Sequence, residues 1–208
     1  LGKNVTTLKD FLTRYPTNDE VRNPPILIPS FNNGPYVANM IGQLKKLGLN
    51  RYVVLDGGSE DEATLQLLEE LEQQGRVIHL GSNPGPRFFF HNKRFFRQLP
   101  SLFCVTGPDL EFNPELPSNF LEDLVALSNE LKQGKVGFAL SLEGDLIEEP
   151  FFFGKRKMRI TDWEAQYWRE PVENSLGLET YKARIDPTFA LYNKKHLSRR
   201  YFFEAIRV

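Results

Sequence analysis

Four short apolar runs punctuate the first half of the chain: Ile26-Leu27-Ile28, Tyr52-Val53-Val54-Leu55, Val77-Ile78-His79-Leu80 and Leu102-Phe103-Cys104-Val105. Each is too short for a helix of ordinary length, is rich in strand formers and stops at turn residues. The stops are Pro29-Ser30-Phe31-Asn32-Asn33-Gly34, Asp56-Gly57-Gly58, Gly81-Ser82-Asn83-Pro84-Gly85-Pro86 and Gly107-Pro108-Asp109. Helical patterns fill the intervals. Val37, Met40, Ile41, Leu44 and Leu47 share one helical face, and Lys45 and Lys46 sit where they complement the helix dipole. Ser59 and Glu62 read as a capping box that opens a second helix carrying Leu65, Leu68 and Leu71. A third helix spans residues 88–98. The order β-α-β-α-β-α-β predicts an α/β fold, a mostly parallel central sheet flanked by helices and joined by right-handed crossovers. All four strand-end loops then gather on one edge, where open α/β sheets bind ligands.

Before the first run, residues 7–15 carry Leu8, Phe11 and Leu12 on one face, and Pro24-Pro25 closes this N-terminal extension of residues 1–24. A single domain follows over 25–208. Its first half is 25–113 and its second half 114–208. That second half reads as a helix over 119–131 with Phe120, Leu124 and Leu127 inward, a strand over 136–142, an aromatic segment over 150–168 and a last apolar run over 188–192.

A length of 208 residues, 40% hydrophobic, suffices for a sizeable core. Net charge is -1, so no global field draws the chain to nucleic acid or anionic membrane, and an anionic ligand must be met locally. One cysteine, Cys104, excludes an intrachain disulfide and a zinc cluster, which fits a reducing, cytoplasmic setting. A membrane-peripheral place, or a lumenal one after a trimmed leader, stays open. No apolar stretch reaches the roughly 18 residues of a membrane-spanning helix.

Taken in order, Ile26 to Asn32, Val53 to Ser59, Asn83-Pro84-Gly85 and Val105 to Asp109 resemble the nucleotide-sugar half of GT-A glycosyltransferases, especially the family 2-like group. The likeness spans about residues 25–193. It implies a nucleoside diphosphate sugar bound across the strand-end crevice, with Mn²⁺ or Mg²⁺ on an Asp-X-Asp motif after the fourth strand. Here the motif reads Gly107-Pro108-Asp109, so the metal falls to Asp109 alone and the first carboxylate is missing. By the same likeness Asp56 accepts a hydrogen bond from a uridine-type base, Phe31 packs on that base, and Pro29 and Ser30 line the turn. Arg87 points toward the phosphates, a role suited to a bidentate guanidinium.

An inverting transfer needs a carboxylate within reach of the acceptor hydroxyl. Asp186 is the first choice for that base, and Asp162 or Glu164 the second. Asp162 equally suits a helix N-terminus stabilised by the dipole. Trp163, Tyr167 and Trp168 suit stacking on a sugar or packing in a core, and the basic run over 155–159 suits phosphates or solvent. His79, His91 and His196 show no ligand spacing and receive no role. A sugar-1-phosphate nucleotidyltransferase shares such a sheet but opens with a Gly-rich, basic loop after the first strand, unlike Pro29 to Asn33. A non-catalytic nucleotide- or carbohydrate-binding domain is the reading from another class, and Gly107 is its best support.

Overall fold

A computed structural model describes residues 6–142, 151–153, 156–185, 188–198 and 204–208, with backbone alone for 151–153 and 156. The chain divides into two compact units, Leu1–Glu122 and Asp123–Val208.

The first unit is built on four parallel strands. Helix α1 (Leu8–Arg14) precedes β1 (Ile26–Ser30), α2 (Gly34–Lys46), β2 (Tyr52–Asp56), α3 (Glu62–Gln73), β3 (Val77–His79), the short α4 (Phe88–His91) and α5 (Lys93–Gln98), and β4 (Leu102–Val105). The strand order is β3-β2-β1-β4, with β1 paired in parallel to both β2 and β4 and β2 to β3. Every residue of β2 is buried, as expected of a parallel strand covered on both faces, and this is why its sequence is a continuous apolar run. Burial of each such Val, Leu or Ile contributes about 1.5–3 kcal/mol. On α2, Val37, Met40, Ile41 and Leu44 are buried as their spacing requires.

Two local expectations fail for identifiable reasons. Ser59 does not cap α3. Asp61 does, accepting from Thr64 N at 2.9 Å, which moves the helix start; on α3 Leu68 and Leu71 are buried and Leu65 is 48% exposed. The helix expected over 88–98 is two helices. Asn92 takes extended backbone between them, and its side chain accepts from Phe95 N at 3.0 Å to start α5, since Asn competes with the helix and favours caps.

The N-terminal segment is fastened to the sheet. Arg51, buried, donates from Nε to Tyr15 O at 2.8 Å and from Nη1 to Asn23 O at 3.2 Å. Arg76 lies between the Tyr15 and Tyr52 rings, 4.0 and 4.2 Å from their centroids. Helices α2 and α3 meet closely at Gly34, whose N–H donates to Thr64 Oγ1 at 2.7 Å and where a Cβ would stand 2.7 Å from Thr64 Cα. The unit boundary falls within α6 (Phe120–Glu130), on which Phe120, Leu124 and Leu127 are buried.

The second unit is mixed. It holds β5 (Lys135–Gly137), shorter than the expected strand, then the antiparallel pair β6 (Phe151–Phe153) and β7 (Arg156–Met158), α7 (Ile160–Ala165), β8 (Tyr181–Arg184), β9 (Ala190–Asn193) and β10 (Glu204–Arg207). Its neighbours run β9-β5-β10-β8. The β5–β10 pair is parallel and the outer two pairs are antiparallel. The molecule is thus α/β with mostly parallel strand pairing, as its sequence predicts. Among the described residues no helix is long and apolar enough to cross a membrane.

Candidate functional site

In the first unit the carboxyl ends of β1 and β2 are in register, with Ser30 opposite Asp56, and Asp56 is in turn opposite His79 of β3. The polar residues that end these strands therefore lie side by side. Asp56 is only 3% exposed. Its Oδ1 accepts from Ser59 N at 3.1 Å, and its Oδ2 accepts from Gly58 N at 3.2 Å and lies 3.1 Å from His79 Nδ1. Gly58 follows at φ +83°, a backbone conformation that suits glycine. Across the His79 ring, Nε2 stands 2.6 Å from Glu72 Oε1. Asp56 is therefore both a turn former and one end of an Asp56-His79-Glu72 series.

The β1 and β2 loops are laced together by Asn32, which sits in the left-handed region at φ 54°, a conformation Asn tolerates better than most residues. Its N–H donates to Ser59 Oγ at 2.9 Å, while its Oδ1 accepts from Glu60 N at 2.8 Å and Asp61 N at 3.3 Å. Gly57 N donates to Ser30 O at 2.8 Å. A Cβ on Gly57 would lie 3.2 Å from Asn83 Cα, so the β3 loop closes against the same spot. Hydrogen bonds from Thr64 hold the Asp61 carboxyl below its usual range.

Of the nucleotide-site residues predicted from sequence, Pro29 and Ser30 end β1, and the buried Ser30 Oγ has no hydrogen-bond partner among the described residues. Phe31 is 40% exposed at the rim. Arg87, half-buried, precedes α4. Beyond β4, Gly107 and Pro108 are buried and Asp109 is exposed in a turn. That loop is held from α2, where Gln43 Nε2 donates to Leu110 O at 2.8 Å and Gln43 Oε1 accepts from Phe112 N at 2.7 Å. Cys104, wholly buried in β4, has its thiol pKa pushed well up by burial, and its place is structural.

In the second unit, Asp162 is exposed in the first turn of α7, and Asp186 lies outside the described residues. Glu164 is claimed by structure: its Oε2 accepts from the buried Arg207 Nη1 at 2.6 Å, and that guanidinium lies 4.1 Å from the Tyr167 ring centroid. Trp163 meets Tyr167 edge-on, and Trp168 packs on Tyr181 with centroids 5.2 Å apart. His196 Nε2 is 3.2 Å from Asn129 Oδ1. Lys157 and Arg159 are exposed, whereas Lys155 and the Arg156 side chain lie outside the described residues.

Sequence reading missed Asn32 and His79. The turn series after β1 was the available signal for Asn32, and lining up strand ends would have placed His79 beside Asp56. No protein-family model matches this chain, and no curated protein matches it.

Proposed function

We propose that this chain is a GT-A type, family 2-like glycosyltransferase that moves a sugar from a UDP- or GDP-linked donor to a carbohydrate, lipid-linked or protein acceptor. The observation that carries this reading is the braced edge of the four parallel strands, where Asp56, Ser30 and Phe31 stand together. Asp56 and the unmatched Ser30 hydroxyl offer polar contacts beside a partly exposed aromatic ring that suits a nucleobase. Arg87 follows the third strand, a position that suits the diphosphate. Asp186 is assigned as the base for the acceptor hydroxyl, and Asp162 is the second choice.

Among the described residues no three Asp, Glu, His or Cys side chains gather as a metal site. The residues after β4 fit Mn²⁺ or Mg²⁺ only through Asp109, with donor phosphates and water completing the shell. When bound, such an ion would offset the charge of the departing diphosphate. The chain's own residues bind and orient the nucleotide in this reading.

Gly107 favours a second reading, a nucleotide- or carbohydrate-binding domain without transfer. A panel of UDP- and GDP-sugars, incubated with Mn²⁺ and assayed for released nucleoside diphosphate, separates the two. Turnover with any donor is the result expected of the enzyme. Binding without turnover, also in Gly107→Asp, would leave the binding domain.

A further inference from the structure

The open cleft between α1 and α5 gathers cations against local electrostatic rules. It has a volume of about 620 Å³ and is lined by Lys9, Leu12, Thr13, Arg94, Arg97 and Gln98. Among the described residues three cations line it and no carboxylate does. Lys93 and Arg94 occupy the first turn of α5, where cations oppose the helix dipole, and Arg94 and Arg97 are a like-charged i,i+3 pair. Between Glu72 and Asp109 the chain has no Asp or Glu at all, although Arg76, Arg87, Lys93, Arg94 and Arg97 fall there. Asp10, the acid nearest Lys9 in sequence, is engaged by the Thr7 backbone and hydroxyl at 2.9 and 2.6 Å.

The cations stand on a firm base. Phe88 packs on Phe95, Phe90 on Phe96, and both Phe89 and Phe96 on Phe103 of β4, with centroids 5.0–6.2 Å apart. Helices α4 and α5 are thereby locked to the sheet, and Arg94 and Arg97 project from a packed scaffold. A preorganised cluster loses less on binding than one on a free loop. Guanidinium groups match phosphate oxygens bidentately, while Thr13 and Gln98 add neutral donors. In a chain of net charge -1, such a local excess of positive charge is what an anion would relieve.

We propose that the α1–α5 cleft is a binding site for a phosphate-bearing ligand, held by Lys9, Arg94 and Arg97. It shares no residue with the nucleotide site assigned above and does not rest on that assignment. The ligand is either a soluble phosphate compound or the headgroup of an anionic lipid, and two probes tell these apart. Inorganic pyrophosphate is titrated into the full chain by calorimetry, and sedimentation is measured with phosphatidylcholine vesicles with and without phosphatidylglycerol.

Arg94→Gln/Arg97→Gln, at two exposed positions, should weaken the wild-type response at least tenfold. Loss confined to pyrophosphate identifies a soluble ligand. Loss of sedimentation with the phosphatidylglycerol vesicles identifies the headgroup. The proposal is overturned if wild type responds to neither probe, or if the double variant, still cooperatively folded, binds as wild type does. A pyrophosphate response abolished by Asp56→Ala and kept by the double variant also overturns it, and places the phosphate at the strand edge instead.

Discussion

The loops after β2 and β4 end neighbouring parts of one parallel sheet, and each presents an aspartate, yet the two acids are held in opposite ways. Asp56 is buried, accepts two backbone N–H groups and contacts His79. Asp109 is exposed, in a loop held through the backbone by Gln43. The first acid therefore shapes the edge and the second is presented by it. Substitution at Asp56 tests structure and binding together, whereas substitution at Asp109 tests function almost alone.

The largest expected effect is at Asp56. Asp56→Ala strands the Gly58 and Ser59 N–H groups and takes one of two partners from the His79 ring, so urea denaturation should show a loss of about 1–3 kcal/mol, the cost of leaving buried polar groups unmatched. Gly34→Ala should follow closely. The Thr64 backbone must move to admit a methyl, at about 1–3 kcal/mol for forced overpacking, and the same denaturation series measures it. Either variant with wild-type stability would break the picture of a braced edge.

Metal binding sharpens the other side of the comparison. Without nucleotide, Mn²⁺ should bind weakly to the wild type, because Asp109 is the sole carboxylate of its motif. Gly107→Asp should bind Mn²⁺ at least tenfold more tightly by calorimetry, through a second charged ligand. Tight Mn²⁺ binding by the unaltered chain would contradict this. Asp109→Asn should change stability by less than about 0.5 kcal/mol, as surface substitutions do.

The smallest effect concerns pH. Asp61 is held below its usual pKa by Thr64, and Asp10 by Thr7. A folded-state pKa depressed in this way adds stability above the unfolded value and loses it as pH falls through the folded one. Asp61→Asn should therefore show a slightly flatter decline in stability on acidification than wild type, followed by thermal melts.

The parallel strands could be read from the chain because β1 to β4 are covered on both faces, which makes them continuous apolar runs closed by Pro, Gly and Asp. Helix α2 was equally legible, since Val37 to Leu44 repeat at helical spacing and bury as that spacing demands. The start of α3 was not, because Ser59 and Asp61 are both competent caps and Asn32 settles the choice by taking the Ser59 hydroxyl as an acceptor. The break at Asn92 also escaped notice, hidden in a phenylalanine-rich stretch whose apolar residues satisfy one long helix or two short ones. At the site, adjacency of Ser30 and Asp56 followed from parallel topology alone. His79 was open to the same alignment of strand ends, but its contact with Glu72 was not, because local spacing does not encode which side chain of α3 turns toward the ring. In the second unit, Glu164 looked like a candidate base, and only the fold brings Arg207 from 43 residues away to engage it.

Calorimetric titration of UDP and GDP, with and without Mn²⁺, against wild type and Asp56→Asn tests the central claim most directly. Asn keeps one acceptor for the loop N–H groups but removes the charge. The account predicts that one of the two nucleotides binds the wild type and binds Asp56→Asn at least tenfold more weakly, while both proteins unfold cooperatively. Absence of binding by either nucleotide under both metal conditions, or equal affinity in the variant, would contradict it.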